Sequence, residues 1–291
     1  MPADRVKYDR IGLLEHSSVV SDMRIALKLS YIGTRYSGFQ VQPDVATVEG
    51  VIFDALVESG LIKSPGSARY QSAGRTDRGV HATGQVIAFD TDKPDLAVPR
   101  IINSKLPDDV WSWAHAVVGD DFDPRRDAIS RVYRYILWGT YDVSSMRSAT
   151  KVLSGTHDFL NFLTQDGGRS TRRTIQRIDV RVSGNFTILD VIASSFAWHM
   201  VRKIATALTM IGSGVRDKDW LEQMLNPAEF EEGLEPAPAH GLILRDVTYE
   251  NIEWVEDRYA MKRAAENLRE HLSWHSVMSE VLKEMQTTML K

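Results

Sequence analysis

Apolar and polar residues follow a recognisable order of elements in the first part of the chain, between residues 24 and 118. Runs of alternating or β-forming residues predict strands at 24–31, 68–72, 84–89 and 110–118. Apolar residues at helical spacing predict a helix between the N-cap residue Thr47 and Gly60. A second helix is predicted over 97–107, with Pro99 near its start. The order β-α-β-β-α-β is the ferredoxin-like arrangement.

The same order of elements returns between residues 130 and 249, without an obvious sequence repeat. The periodicities predict strands at 130–139, 174–183, 186–195 and 241–249, and helices at 144–155, 198–214 and 217–225. Gly184 and Asn185 are suited to the hairpin turn between the two central strands. We therefore predict an α+β protein with two ferredoxin-like halves, whose mainly antiparallel sheets associate.

The boundary between the halves is expected near Gly119–Pro124. The predicted segments are an N-terminal extension (1–23), an N-terminal half (24–120), a C-terminal half (121–254) and a long helical extension (255–291). At 1.5 Å per residue, the last helix would reach about 45 Å. Its apolar stripe contains Met261, Ala265, Leu268, Leu272, His275 and Leu282. We expect this stripe to pack on the protein's own body, and the alternative is a contact across a dimer.

Composition narrows the possible functions only modestly. The 291 residues are 43% hydrophobic and 25% charged, with a net charge of −4, so overall charge does not indicate a nucleic-acid binder. The chain has no cysteine, which excludes disulfides, thiolate nucleophiles and cysteine-bound zinc. No apolar run approaches the roughly 18 residues of a spanning helix, and the N-terminus lacks the pattern of a signal peptide. We expect a cytoplasmic protein.

Several familiar catalytic motifs are missing from the sequence, namely G-x-S-x-G, G-x-G-x-x-G, the Walker lysine loop and H-E-x-x-H. The segment GTRYSGF at 33–39 has the glycines of a phosphate loop without its lysine, so we interpret it as a turn. His271 and His275 lack a third metal ligand in the pattern and are interpreted as helix surface. Asp158, beside His157, is interpreted as the cap of a turn.

The stretch SAGRTDRGVHATGQV at 72–86 places Asp77 between Arg75 and Arg78. Such an aspartate commonly caps a turn and pairs with a neighbouring base. Two features favour a catalytic role instead. Arginine neighbours favour an ionised carboxylate, which suits a nucleophile and disfavours a proton donor. The glycines of the stretch, Gly74, Gly79 and Gly84, allow the backbone to pass close to another group.

The block AGRTDRGVHATGQV resembles the signature of the TruA family of tRNA pseudouridine synthases. Further blocks resemble that family in the same order: YIGTRYSGFQVQPDVATVEG, FDPRRDAISRVYRY, GTHDFLNF, SFAWHMVRKIATAL and APAHGLILRDVTY. Together they cover roughly residues 24–250. The resemblance implies the pseudouridine synthase fold and an enzyme that converts uridine to pseudouridine without cofactor or metal. It also implies a tRNA substrate, modified in the anticodon arm at position 38, 39 or 40, and a homodimer across which the tRNA lies.

The resemblance assigns roles to individual residues. Asp77 matches the family's catalytic aspartate, and Arg202 in HMVRKI matches the basic partner of that aspartate. Tyr133 in SRVYRY matches the tyrosine that stacks under the target base and takes part in the final removal of the C5 proton. Arg75 in GRTD matches the arginine that inserts where the flipped nucleotide leaves the stack. Nearby, His81 is expected to be structural.

Sequence alone leaves one pair of residues, one reaction step and the grip on the RNA open. Tyr135 lies two positions from Tyr133 on the same strand face; a core-facing position suits Tyr135 better, and a structure is needed to separate the pair. Lys203, beside Arg202, is expected on a solvated helix face. The carboxylate of Asp77 either adds to C1′ of the sugar or acts through a glycal route. The link from Trp138 to Ser145 is short compared with bacterial relatives, which leaves open how the RNA is gripped.

Arginines cluster in two segments where RNA would lie. They are Arg169, Arg172, Arg173, Arg177 and Arg181 in one, and Arg125, Arg126, Arg131 and Arg134 in the other. Several of them are expected to contact phosphates. The main alternative function is a non-catalytic RNA-binding protein of tandem ferredoxin-like domains, for which the expected K/R-G-F/Y motif is missing. A hydrolase would need a second carboxylate, and a family member acting on another RNA is the third alternative.

Overall fold

The computed structural model describes residues 22–290. These residues form ten strands, six α-helices and four short 3₁₀ helices. The strands are β1 (Met23–Tyr31), β2 (Gln71–Ser72), β3 (His81–Thr91), β4 (Val110–Val117), β5 (Ser130–Trp138), β6 (Gly155–Asp158), β7 (Arg172–Ser183), β8 (Phe186–Ala193), β9 (Leu242–Thr248) and β10 (Val255–Glu256). The helices are α1 (Val48–Glu58), α2 (Pro99–Ile102), α3 (Val143–Leu153), α4 (Met200–Gly212), α5 (Lys218–Met224) and α6 (Arg258–Met289). Most of the predicted N-terminal extension, residues 1–21, lies outside the described residues.

All ten strands belong to one sheet, in the order β10-β4-β1-β3-β9-β5-β8-β7-β6, with β2 paired to β3. The N-terminal half contributes β4-β1-β3, and the C-terminal half contributes β9-β5-β8-β7, both with antiparallel pairing. The two halves meet where β3 pairs with β9 in parallel, at His81↔Ile243 and Ala82↔Leu244. The predicted α+β class, with two associated and mainly antiparallel halves, is confirmed.

Each half has its own hydrophobic core under its helices. In the N-terminal half, Ile25, Leu27 and Leu29 of β1 are fully buried beside Ile52 and Leu56 of α1. Helix α1 begins at its N-cap Thr47, whose side chain accepts a hydrogen bond from the Gly50 amide. The alternating pattern of β1 therefore positions one face of the sheet against the helix.

In the C-terminal half, α3 and α4 cover the core. Met200, Ile204 and Leu208 of α4 are buried at helical spacing, together with Leu189 of β8. The hairpin turn between β7 and β8 is confirmed, because Ser183 pairs with Phe186 and Gly184 has a φ of 57°. This core fixes the start of α4 against the junction of the two halves.

Some elements differ from the prediction in length. The strand expected at 68–72 contracts to β2 because Ala68 and Arg69 form a turn, in which Arg69 has a φ of 45°. The helix expected at 97–107 is a single turn, α2, followed by further turns. Strands β6 and β10 were not predicted, and both are too short to show a clear alternation.

Helix α6 is 32 residues long and begins at its N-cap Asp257, which also pairs with Arg100 at 2.9 Å. Of its residues, Ala260 and Ala264 are buried, and the helix contacts β4 and α2. The apolar side chains of its remaining length are exposed, including Leu268, Leu272, Trp274, Val277, Val281, Leu282, Met285 and Met289. The expectation that its apolar stripe packs on the protein's own body is therefore wrong beyond the first turns, where its apolar side chains are exposed to solvent.

None of the helices between residues 22 and 290 combines the length and apolar character needed to cross a membrane.

Candidate active site

Asp77 lies in the loop between β2 and β3, next to the junction of the two halves. The loop is anchored through Thr76. The Phe39 amide donates to the Thr76 carbonyl oxygen at 3.0 Å, and the Thr76 hydroxyl lies 2.8 Å from the buried Tyr31 hydroxyl. At the other end, Gly79 has a φ of 80°, which favours glycine. The backbone around the carboxylate is thus held from both sides.

The three glycines singled out in the sequence have different roles. At Gly84 a Cβ would overlap the carbonyl oxygen of Arg245 in β9, so its absence allows β3 and β9 to approach. Gly79 supplies the left-handed turn. Gly74 has no atom within 4 Å of a Cβ built on it, and the close approach expected there is wrong.

The carboxylate of Asp77 contacts two groups from the start of α4, and both approach the same oxygen. Arg202 Nη1 lies 3.1 Å from Oδ2, and His199 Nε2 lies 3.5 Å from Oδ2. Arg75 and Arg78 are exposed, and between residues 22 and 290 neither forms an ion pair with Asp77. The expectation that the flanking arginines hold the acid is wrong, because side chains of successive loop residues point in different directions.

Arg202 occupies the first turn of α4, and its side chain is 13% exposed. Its Nε donates to the Ala237 carbonyl oxygen at 2.6 Å while Nη1 faces Asp77. The guanidinium remains charged and keeps a fixed direction, as a stable counter-ion for the carboxylate requires. Lys203 donates Nζ to the Leu163 carbonyl oxygen at 2.9 Å and is partly buried, so its expected position on a solvated face is wrong.

His199 was not selected from the sequence, although it stands directly before α4 in the WHMVRK segment. It adopts a left-handed backbone conformation with a φ of 63° at the N-cap. Its Nδ1 lies 2.9 Å from the Thr164 hydroxyl. Burial lowers the pKa of His199, although the neighbouring Asp77 acts in the opposite direction. A lone histidine before a helix carries little signal, and only the packing of α4 brings it to the carboxylate.

Tyr133 and Tyr135 follow each other on one face of β5, and the structure separates them. Tyr135 is 2% exposed and donates its hydroxyl to the Pro238 carbonyl oxygen at 2.7 Å. Tyr133 lines the cleft beside Asp77, with its ring edge-on to Phe196 at 5.2 Å. Burial raises the pKa of Tyr133 to about 12, so the phenol is neutral at physiological pH.

These residues line one cleft of about 1090 Å³ that is shared by both halves. Seven arginines and three aspartates line it: Arg75, Arg78, Arg125, Arg131, Arg169, Arg173, Arg202, Asp77, Asp123 and Asp166. The protein as a whole carries a net charge of −4, so positive charge is concentrated at the cleft. Such a distribution attracts a polyanion to this surface.

The two arginine clusters divide between the cleft and the rest of the surface. Arg125, Arg131, Arg169 and Arg173 line the cleft. Away from it, Arg134 forms a two-point pair with Asp190 at 2.7 Å, and Arg177 pairs with Asp179. Each cluster therefore contains arginines that line the cleft and arginines that pair with aspartates elsewhere. Their spacing in the sequence does not distinguish the two groups.

The remaining polar candidates have structural positions. Asp158 accepts a hydrogen bond from the Leu160 amide at 3.1 Å, so it caps a turn as predicted. His81 accepts the Gly33 amide at Nδ1, 3.2 Å away, and His275 lies on the exposed part of α6. Within residues 22–290, no cluster of three or more histidine, aspartate or glutamate side chains is arranged to hold a metal ion.

Comparison with known proteins identifies the relatives of the chain. A family model described as tRNA pseudouridine synthase matches residues 149–250. The protein named tRNA pseudouridine synthase A of Methanosarcina acetivorans is 58% identical over 265 residues, which cover 90% of this chain and 98% of the relative. Its namesake in Methanosarcina mazei is 59% identical over the same coverage. The protein of that name in Archaeoglobus fulgidus is 44% identical over 258 residues, covering 88% of this chain and 95% of the relative.

Proposed function

The chain belongs to the TruA family of tRNA pseudouridine synthases, and we propose that Asp77 is the nucleophile of the isomerisation it catalyses. Arg202 and Tyr133 are its proposed partners. One observation carries this assignment: Oδ2 of Asp77 lies 3.1 Å from a fixed guanidinium inside a cleft that Tyr133 also lines. The family's enzymes act on tRNA, and the proposal concerns which residues perform the chemistry.

The reaction breaks the C1′–N1 bond of uridine, turns the base and rejoins it to the sugar through C5. One proton leaves C5 and one is gained at N1, so no atom is added or lost. The sugar or the base must be held between the two bond changes. The carboxylate of Asp77 either adds to C1′ or drives a glycal route through its basicity, and both routes require its ionised form. Arg202 supports that form through its permanent charge.

Tyr133 is proposed to stack under the target base, since its ring lines the same cleft as the Asp77 carboxylate. Stacking on an aromatic side chain contributes about 1–3 kcal/mol per base. Arg75 is proposed to fill the gap that the flipped nucleotide leaves, because it is exposed at the rim of the same cleft. Extracting a base costs a few kcal/mol, and a planar guanidinium compensates part of that cost.

The proposed target is the anticodon arm of tRNA, at position 38, 39 or 40, in the cytoplasm. The family resemblance supports this target, and the seven arginines of the cleft support a phosphate-rich substrate. Mapping of pseudouridines in tRNA treated with the enzyme tests the positions. Modification confined to another arm of the tRNA would contradict this part of the proposal.

The decisive experiment uses tRNA whose uracil carries tritium at C5. Isomerisation releases this label to water, whereas RNA binding alone does not. We expect release by the natural protein and none by Asp77→Asn, which keeps the size of the side chain and removes its charge. Binding of the same tRNA should persist in the variant, as measured by filter binding. Substantial release by Asp77→Asn would remove Asp77 as the nucleophile.

A homodimer is also proposed, with α6 as a contact between the subunits. Met261, Leu268, His275, Leu282 and Met289 of this helix are spaced seven residues apart, which is the period of paired helices. The exposed apolar side chains along the same helix have no partner within residues 22–290 of the chain. A second copy of α6 supplies a matching apolar surface.

Sedimentation velocity of the full chain tests this contact. We expect twice the mass of one chain for the natural protein and a shift toward one chain for Leu272→Asp combined with Leu282→Asp. Val182→Asp adds a charge at an exposed apolar residue of β7, far across the sheet from β4, and serves as the matched control. A dimer that survives both charges on α6 would place the contact elsewhere.

A further inference from the structure

The imidazole of His199 lies between the hydroxyl of Thr164 and the carboxylate of Asp77. Nδ1 is 2.9 Å from Thr164 Oγ1, and Nε2 is 3.5 Å from Asp77 Oδ2. The three side chains come from a loop after β6, the start of α4 and the loop before β3. Because the three segments are far apart in the sequence, the fold and not the chain order brings these polar side chains into one row.

The backbone at His199 is held in an unusual conformation. Its φ of 63° lies in the left-handed region, which only a few per cent of non-glycine residues adopt, histidine being one of the types that do so more often. The Thr164 amide donates to the Trp198 carbonyl oxygen at 3.0 Å, and the Lys203 amide donates to the His199 carbonyl oxygen at 3.0 Å. Conformations of this kind concentrate at functional sites, where the surrounding structure imposes them.

The two oxygens of the Asp77 carboxylate have different surroundings. Arg202 and His199 both approach Oδ2, whereas Oδ1 accepts no hydrogen bond from any residue between 22 and 290. A nucleophilic carboxylate attacks through an oxygen whose lone pairs are not engaged by donors. The asymmetry therefore distinguishes Oδ1 from Oδ2 before any substrate arrives.

We propose that His199 is a positioning residue, which together with Arg202 engages Oδ2 of Asp77 and leaves Oδ1 to react with the substrate. Thr164 sets the tautomer by donating its hydroxyl to Nδ1, so that Nε2 carries the proton and donates to Oδ2. The proposal rests on the assignment of Asp77 as the nucleophile. An N···O separation of 3.5 Å is long for a hydrogen bond, and catalytic hydrogen bonds commonly tighten when substrate binds.

The charge of the imidazole determines how this arrangement responds to pH. Asp77, Arg202, Lys203 and Glu235 are the charged groups that face His199. Burial lowers its pKa below the ordinary 6.5, so the ring is neutral at pH 7. Protonation at lower pH places a full positive charge beside Oδ2, which makes the carboxylate a weaker nucleophile. Activity should therefore be present above pH 6.5 and fall as the pH drops through the lowered pKa.

Paired substitutions at His199 test the donor, with tritium release followed in single turnovers. Gln places an amide donor near the position of Nε2 but does not titrate. Leu has no donor and does not titrate either. Both residues must adopt the same left-handed backbone conformation. We expect His199→Leu to lower the rate constant at least tenfold, with the Kd for tRNA changed less than twofold. His199→Gln should retain more of the rate and lose the decline in activity below pH 6.5.

Paired substitutions at Thr164 test the tautomer without altering the ring. Thr164→Ser keeps the hydroxyl, and Thr164→Val removes it from a side chain of the same shape. We expect Thr164→Ser to behave like the natural protein. Thr164→Val should lower the rate constant and shift the pH at which activity declines on the acid side. This pair also decides the question if the His199 variants do not fold.

Three results would overturn the inference. They are a natural rate and pH profile in His199→Leu, equal losses in His199→Gln and His199→Leu, and effects confined to tRNA affinity. The release assay with Asp77→Asn keeps this inference separate from the proposed function. If that variant releases tritium, the nucleophile itself is wrong; if it does not and His199→Leu is fully active, only the role of His199 fails.

Discussion

Arg202 Nη1 lies 3.1 Å from Oδ2 of Asp77, although 125 residues separate them in the chain. The contact connects the two halves of the sheet, since Asp77 precedes β3 and Arg202 lies in α4. The position of the carboxylate therefore depends on how the halves are joined. Any displacement of β9 against β3 would separate the acid from its counter-ion.

Replacement of Arg202 should reveal how much the shape of the guanidinium matters. Arg202→Lys keeps the charge but cannot donate to the Ala237 carbonyl oxygen and Asp77 in the same geometry. We expect the rate of tritium release to fall about 10- to 100-fold, or about 1.4–2.8 kcal/mol. Arg202→Met, which also removes the charge, should lose more. Arg177→Met breaks a surface pair with Asp179 and should leave the rate unchanged; a similar loss there would point to general destabilisation.

Substitutions of Tyr133 separate its ring from its hydroxyl. The pKa of about 12 implies a neutral phenol at pH 7, so a phenolate is not available as a base without a large cost. We expect Tyr133→Phe to retain the rate within about tenfold, because the ring still stacks. Tyr133→Leu should lose about 1–3 kcal/mol of stacking. Single-turnover rates compare the two variants, and equal losses in both would assign the hydroxyl an essential part in proton removal.

Two glycines of the catalytic stretch should respond differently to an added methyl group. Gly84→Ala places a Cβ against the Arg245 backbone, so β3 and β9 must move apart. We expect unfolding to become easier by about 1–3 kcal/mol, as for other overpacked sites. Gly74→Ala enters open space and should change the free energy of unfolding by less than about 0.5 kcal/mol. Chemical denaturation measures both, and a neutral Gly84→Ala would contradict a tight junction.

Arginines of the cleft should govern the salt dependence of tRNA binding. Arg125 is exposed in the cleft, whereas Arg177 lies outside it and is paired with Asp179. We expect Arg125→Gln to weaken binding and to reduce the slope of log K against log salt by about 0.7–0.9. Arg177→Gln is the matched control and should leave the slope unchanged. Binding that is equally strong at low and moderate salt would argue against phosphate contacts altogether.

Local patterns in the sequence predicted most of the elements and the residue proposed as the nucleophile. Periodicity depends on neighbours three or four residues apart in helices and two apart in strands. The order of elements in both ferredoxin-like halves could therefore be predicted without long-range information. The Gly184 turn and the Thr47 cap were correct for the same reason. Asp77 stood out because a dense run of special residues surrounds it within the chain.

Contacts between distant segments depend on the tertiary structure, and local periodicity does not predict them. Sequence proximity suggested Arg75 and Arg78 as the neighbours of Asp77, and the family resemblance suggested Arg202, whereas His199 reaches the carboxylate only through the fold. The same packing places Tyr133 at the cleft and Tyr135 in the core, although both lie on the same face of β5. A sequence records which groups are available and how each segment folds locally. The directions in which side chains finally point depend on how β3 pairs with β9 and on how α4 packs. Both involve segments far apart in the chain, so local periodicity does not predict them.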